Sequence, residues 1–151
     1  MKVYLLDTNI TSALWDVRDK YHPAALRFIQ SVDALSRIYI SRVVSAEIEY
    51  GHHLYLSADA ERRRIVQTAM LAFENILEID QHTAHMYSMM RAILFRKYGE
   101  RTSKNRIKKV RPECLVDKTT SLELGIQEND LWMAAIAVQY NMDFVTDEEV
   151  L

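Results

Sequence analysis

Apolar and polar positions follow two rhythms along this chain. Residues 2–6 (KVYLL) form a short apolar run with β-branched and aromatic members, stopped by Asp7; such a run predicts a buried strand. Asp7, Thr8 and Asn9 are helix-capping types, so a helix is expected next. Over 22–35, Pro23 stands where a helix starts, and Ala25, Leu26, Ile29 and Val32 recur at helical spacing. RIYIS (37–41) predicts a second strand, Val44, Ile48 and Leu54–Tyr55 a helix, 59–73 another helix, and NILEID (75–80) a third strand. Residues 82–98 predict a long helix. Its apolar side (Met86, Met89, Met90, Ile93, Leu94) is expected to pack in the core, with helix pairing or a dimer seam as the alternative. A helix over 130–140 and a strand over 142–146 close the series, whereas 113–128 has no rhythm that assigns it.

Strands alternating with helices predict an α/β fold with a central, largely parallel sheet flanked by helices. The 151 residues suit one domain, 1–151, large enough for a real core. Three glycines and two prolines leave little room for long irregular segments. No stretch approaches the roughly 18–20 apolar residues of a membrane helix, and MKVYLLD is not a basic-then-apolar leader. Cys114 is the only cysteine, which excludes an intramolecular disulfide. The expectation is a cytoplasmic protein without a membrane partner, with Cys114 an inert, buried or half-buried thiol.

Charge changes the picture through its distribution. The net charge is −2, yet RTSKNRIKKVR (101–111) holds six of the 19 basic residues (Arg101, Lys104, Arg106, Lys108, Lys109, Arg111) and no acid. The remainder carries 13 basic against 21 acidic residues. An acidic body with one basic strip is the layout of a protein that meets a polyanion in one place. The strip is expected to hold such a polyanion through salt-sensitive contacts; a merely solvated loop or helix face is the alternative.

Acids mark the candidate chemistry. Asp7 closes the first predicted strand and Asp147 the last, and in open α/β sheets ligands bind beyond the carboxyl ends of the strands. Glu47 lies near the start of the helix after the second strand, and Asp130 at the start of the helix before the last. Each has a structural role open to it as well: helix caps for Asp7 and Asp130, a solvated helix position for Glu47, a charged tail for Asp147–Glu148–Glu149. Glu49 and His52 have Glu-x-x-His spacing, but a di-iron site needs a second copy, and His82 and His85 do not supply it. Tyr50 and Trp132 flank the acids; Tyr50 offers a face for stacking, whereas Trp132 is expected to pack in the core, with stacking as its alternative.

LLDTN at 5–9, SAEIEYG at 45–51, NDLWMAAIA at 129–137 and FVTDE at 144–148 resemble, in order, the four signature blocks of PIN domains, most closely the VapC-type toxins of toxin–antitoxin pairs. The resemblance implies a PIN-like three-layer domain with a basic insertion around 101–111. It implies a metal-dependent endoribonuclease in which Asp7, Glu47, Asp130 and Asp147 hold one or two Mg²⁺ or Mn²⁺ ions, with Glu148 the alternative to Asp147. Thr8, Asn9 and Thr146 would support the site. All-oxygen ligands suit such hard cations, and converging carboxylates need a cation to stay ionised together. A metal-activated water would then hydrolyse the phosphodiester without a protein nucleophile. RNA, a cognate antitoxin and a second copy of the chain are the implied partners. A catalytically silent RNA- or protein-binding module and a PIN nuclease of RNA maturation are the alternatives. The long interval between Glu47 and Asp130, which holds the basic strip, departs from the family pattern, as does the short run after the fourth block.

Overall fold

The computed structural model describes residues 2–54, 60–108 and 110–146. Four strands, β1 (Val3–Leu6), β2 (Arg37–Ser41), β3 (Ile76–Leu77) and β4 (Asp143–Val145), form one sheet in the order β3-β2-β1-β4. Every pairing is parallel. Six α-helices lie among the described residues: α1 (Thr8–Trp15), α2 (His22–Ser31), α3 (Arg42–Leu54), α4 (Ala60–Ala72), α5 (Gln81–Tyr98) and α6 (Glu128–Tyr140). Parallel neighbours require crossover connections, and α1–α2 and α3–α4 provide the first two. The expected α/β class, with a central parallel sheet flanked by helices, is therefore what the chain adopts. Among the described residues no helix is long and apolar enough to cross a membrane.

The chain separates into two compact units. One comprises the residues up to Ile79 and from Asn141 onward, and holds the whole sheet with α1–α4. Its core is built on the sheet: Leu5, Leu6 and Ile40 are almost fully buried, with Val44 and Ile48 of α3 and Val66 and Met70 of α4. The other, Asp80–Tyr140, holds α5, α6 and the segment between them. Leu131, Met133, Ala135 and Ile136 of α6, Phe95 of α5 and Leu115 are its buried apolar residues.

Three element boundaries differ from expectation, each for a local reason. The helix expected over 22–35 stops at Ser31, because Asp33 accepts the Leu35 N–H (2.9 Å) and the Ser36 hydroxyl (2.6 Å) in a turn of its own. The strand expected over 75–80 is only Ile76–Leu77, because Asp80 leaves the sheet to cap α5. Its carboxylate accepts the N–H groups of His82 and Thr83, and the Thr83 hydroxyl closes the reciprocal capping box. Helix α6 starts at Glu128, two residues early, because a distant side chain satisfies its first N–H (below).

The stripe on α5 is corrected more deeply. Met89 is 46% and Ile93 60% exposed, so the Met/Ile side is only partly covered. The row that meets α6 is Thr83, Tyr87 and Arg91, spaced four apart. Thr83 donates to Gln139 Oε1 at 2.5 Å, and Tyr87 stacks on Trp132 with ring centroids 3.9 Å apart and planes 5° from parallel. Cys114, expected at least half-buried, is exposed in a 3-10 turn (Pro112–Cys114).

Candidate active site

The strand order places a topological switch point between β1 and β4, because the chain runs from β1 to β2 and β3 on one side while β4 lies on the other. The crevice outside the carboxyl ends of such strands is where α/β sheets bind ligands. Asp7 follows β1 directly, and its N–H donates to Val145 O (2.9 Å), continuing the ladder onto β4. The same residue is the N-cap of α1, in extended conformation, with Oδ1 accepting the Thr8 N–H at 2.7 Å. Its Oδ2 accepts the Thr146 hydroxyl at 3.0 Å, just past β4. The capping role and the crevice position thus belong to one geometry.

Glu47 reaches the same place from α3. Val44, Ser45 and Ile48 bury the inward side of that helix, and Glu47 stands at its border, half-buried. Its Oε2 accepts the Thr8 hydroxyl. Thr146, Asp7, Thr8 and Glu47 therefore form a continuous chain in which two threonines tie two carboxylates to the edge of the sheet. Asn9 is exposed in the first turn of α1.

Asp130 belongs to the second unit, where it is the third residue of α6, half-buried. Its Oδ2 accepts the Gln127 N–H at 2.6 Å, folding the chain into the start of the helix. Asp147 and Glu148, the two readings of the fourth acid, lie outside the described residues, as does Lys109. Among the described residues no group of three or more His, Cys, Asp or Glu side chains is gathered to hold a metal ion. The pair that is brought together, Asp7 and Glu47, is all-oxygen and half-buried, a donor set that fits a hard divalent cation rather than zinc.

A cluster that sequence reasoning missed surrounds the start of α6. Glu113 Oε1 accepts the Glu128 N–H at 3.0 Å, satisfying one of the N–H groups a helix leaves open. Its Oε2 is buried without a hydrogen-bond partner. Glu113's own N–H and that of Glu128, helped by Arg111 and Arg91, hold its carboxyl below the usual glutamate range. Glu128 Oε1 in turn accepts the Tyr87 hydroxyl and the Arg91 guanidinium. Burial pushes the Glu128 carboxyl up. The one signal available beforehand was the spacing of Tyr87 and Arg91 one helical turn apart, which is too common to be read. Trp132, stacked on Tyr87, gives that face to the protein, while Tyr50 is 64% exposed.

Among the described residues of the basic strip, 101–108 form a hairpin. Arg101 bridges Ile107 in antiparallel fashion, Thr102 N–H donates to Arg106 O (2.7 Å), and Asn105 takes the left-handed conformation (φ 55°) that the tight tip needs. Arg101, Lys104, Arg106, Lys108 and Arg111 are all exposed. Lys108 pairs with Glu100, and Arg101 contacts Asn105.

The sequence pattern of the PIN domain matches residues 4–151. No curated protein sequence matches the chain. Among solved structures, VapBC2 from Rickettsia felis, bound to a DNA fragment from its promoter, is similar with a TM-score of 0.62 and 22% identity over 97% of this chain and 88% of that one. FitAcB from Neisseria gonorrhoeae gives a TM-score of 0.62 and 20% identity over 96% and 87%. VapBC-5 from Mycobacterium tuberculosis, a member of the VapBC family of toxin–antitoxin systems, gives 0.55 and 18% over 99% and 87%. At these identities the likeness establishes the fold.

Proposed function

This chain belongs to the PIN-domain family, and from that premise we propose that it is a metal-dependent endoribonuclease, the toxin of a type II toxin–antitoxin pair. The observation that carries the proposal is the Asp7–Glu47 pair at the β1/β4 switch point, tied together by Thr8 and Thr146. Asp7 and Glu47 would hold a Mg²⁺ or Mn²⁺ ion. The family pattern adds Asp130 and either Asp147 or Glu148, so that one or two ions are accommodated. Bound there, the metal would supply an activated water and stabilise charge developing on a phosphoryl oxygen.

The chain's own side chains do the positioning. Thr8 and Thr146 hydroxyls fix the direction of the two carboxylates, which keeps their oxygens in place before substrate arrives. Asp130, pinned by its contact with the Gln127 N–H, is presented from the first turn of α6. The exposed cations of the 101–111 strip would draw in the RNA backbone. The likeness to VapBC-5, a member of a toxin–antitoxin family, supports an antitoxin as partner; that it blocks the acidic cleft with an Arg, and that a second copy of the chain joins it, are what the family resemblance implies.

The test is incubation of labelled RNAs with the protein in Mg²⁺ and in Mn²⁺. The proposal expects cleavage that needs the metal, leaves 5′-phosphate and 3′-hydroxyl ends and is lost with EDTA. Retention of RNA without cleavage in either metal, across several RNAs, would instead identify a silent binding module.

A further inference from the structure

Helix α5 and the basic hairpin line an open pocket of about 540 Å³ within the second unit, inside the range of about 300–1,000 Å³ typical of ligand sites. Its walls are mainly apolar: Ala92 and Phe95 on one side, Ile107 and Val110 on the other. The charged residues lining it are Arg91, Arg96 and Lys108, and none of the described residues that line it is an acid. The Arg91 guanidinium lies over two rings, 5.8 Å from the Tyr87 centroid and 5.2 Å from that of Phe95. The pocket thus combines a π-rich wall with cations and opens beside the most basic segment of the chain.

Arg91 pairs with Glu128 and Lys108 with Glu100, which leaves Arg96 of these cations to a phosphate; phosphate alone gives no reason for an apolar pocket beside it. An unstacked nucleobase gives that reason. Bases stack on aromatic rings and on guanidinium planes whatever their identity, while the flanking phosphates meet Lys and Arg. Arg96, Lys104 and Arg106 are exposed and make no ion pair among the described residues, so their charge is available to a polyanion. We propose that this pocket is a base-binding subsite, outside the carboxylate site, that takes one unstacked nucleobase of single-stranded RNA while the hairpin cations hold the neighbouring phosphates. The proposal rests on the ribonuclease reading for the identity of the polymer.

The experiment measures binding of a labelled single-stranded oligoribonucleotide, and of its abasic counterpart with the same phosphates, to the full chain in EDTA, so that no RNA is cut. The intact oligomer should bind at least about fivefold tighter than the abasic one, the lower end of what stacking one base contributes. Ala92→Leu, which fills the pocket, should erase that difference and leave the salt dependence unchanged. Ser88→Leu, at the exposed rim, should do the same without touching buried structure, which covers the case in which Ala92→Leu does not fold. Arg96→Ala and Lys104→Ser should weaken both oligomers and flatten the salt dependence. Equal binding of intact and abasic oligomers by the wild type would overturn the proposal. So would a base preference that survives in Ser88→Leu. An acidic apolar peptide bound by wild type but not by Ser88→Leu, with no base preference, would assign the pocket to a protein and overturn it as well. Metal-dependent RNA cleavage alongside any of these results leaves the ribonuclease reading standing; base-dependent binding without cleavage removes that reading and keeps the subsite.

Discussion

Asp7 and Glu47 in the first unit are tied by threonine hydroxyls and one backbone amide, whereas Glu128 in the second is tied by a guanidinium and a phenol. The contrast separates two kinds of acid. The threonine hydroxyls orient the Asp7 and Glu47 carboxylates. Arg91 neutralises Glu128 and at the same time joins α5 to α6, which is a structural task. In the second unit polar side chains, Thr83, Tyr87 and Arg91, join α5 to α6 beside the buried apolar residues of α6. Acidic residues near a crevice are therefore told apart by what holds them.

The largest expected effect breaks the first region. Asp7→Asn keeps a capping side chain on α1 but removes the charge, so stability should change by less than the roughly 1 kcal/mol of a lost cap. RNA cleavage should fall at least about a hundredfold, since a metal contributes several kcal/mol to the transition state and about 1.4 kcal/mol is a factor of ten. Single-turnover cleavage and a melting curve on the same variant check both halves.

The second region breaks in the opposite sense. Trp132→Ala removes the ring stacked on Tyr87 and should cost roughly 2–3 kcal/mol in stability, below the 3–5 kcal/mol of a fully buried aromatic because Trp132 is half-buried. Urea unfolding measures it. A variant that is as stable as wild type would show that the α5–α6 interface does not depend on this stack.

Thr8→Val sharpens the comparison on a smaller scale. The substitution keeps the side-chain shape and deletes the hydroxyl that reaches Glu47. Losing one hydrogen bond of about 1 kcal/mol at the site should lower kcat about fivefold, with little change in RNA affinity.

Much of the first region was legible beforehand because its information is local. A short apolar run ended by Asp7, a second ended by Ser41 and a last one ended by Thr146 announce strand ends, and strand ends in a parallel sheet announce the crevice. The four blocks then added Glu47 and Asp130 to Asp7 as candidates. The second region was not legible, for a physical reason. The face of α5 that packs against α6 carries a Thr, a Tyr and an Arg, so hydrophobic periodicity selected the Met/Ile side, which is half exposed. The start of α6 depends on Glu113, fifteen residues upstream in a segment without rhythm, and no local pattern reports such a bond. Asp130 was read as a helix start; it is instead the third residue of α6, holding the Gln127 N–H.

The smallest prediction concerns acid. Glu113 has its carboxyl lowered by the N–H groups it accepts, so the stability it contributes is present above the unfolded-state glutamate pKa of about 4.3 and is lost as pH falls through its lower folded-state value. Glu113→Gln should therefore be less stable than wild type at neutral pH, with the two converging as the solution is acidified below that point. Urea midpoints over that range decide it, and a gap that does not shrink in acid would show that Glu113 acts without its charge.

The central proposal is that Asp7 and Glu47 of the first unit serve one metal-dependent nuclease centre, and a double-mutant cycle on RNA cleavage tests it most directly. Single-turnover rates in Mn²⁺ for Asp7→Asn, Glu47→Gln and the double variant should show each single substitution nearly abolishing cleavage and the double losing little more, as for residues that act as a unit. Losses that multiply, or a Glu47→Gln that cleaves as fast as wild type, would contradict it.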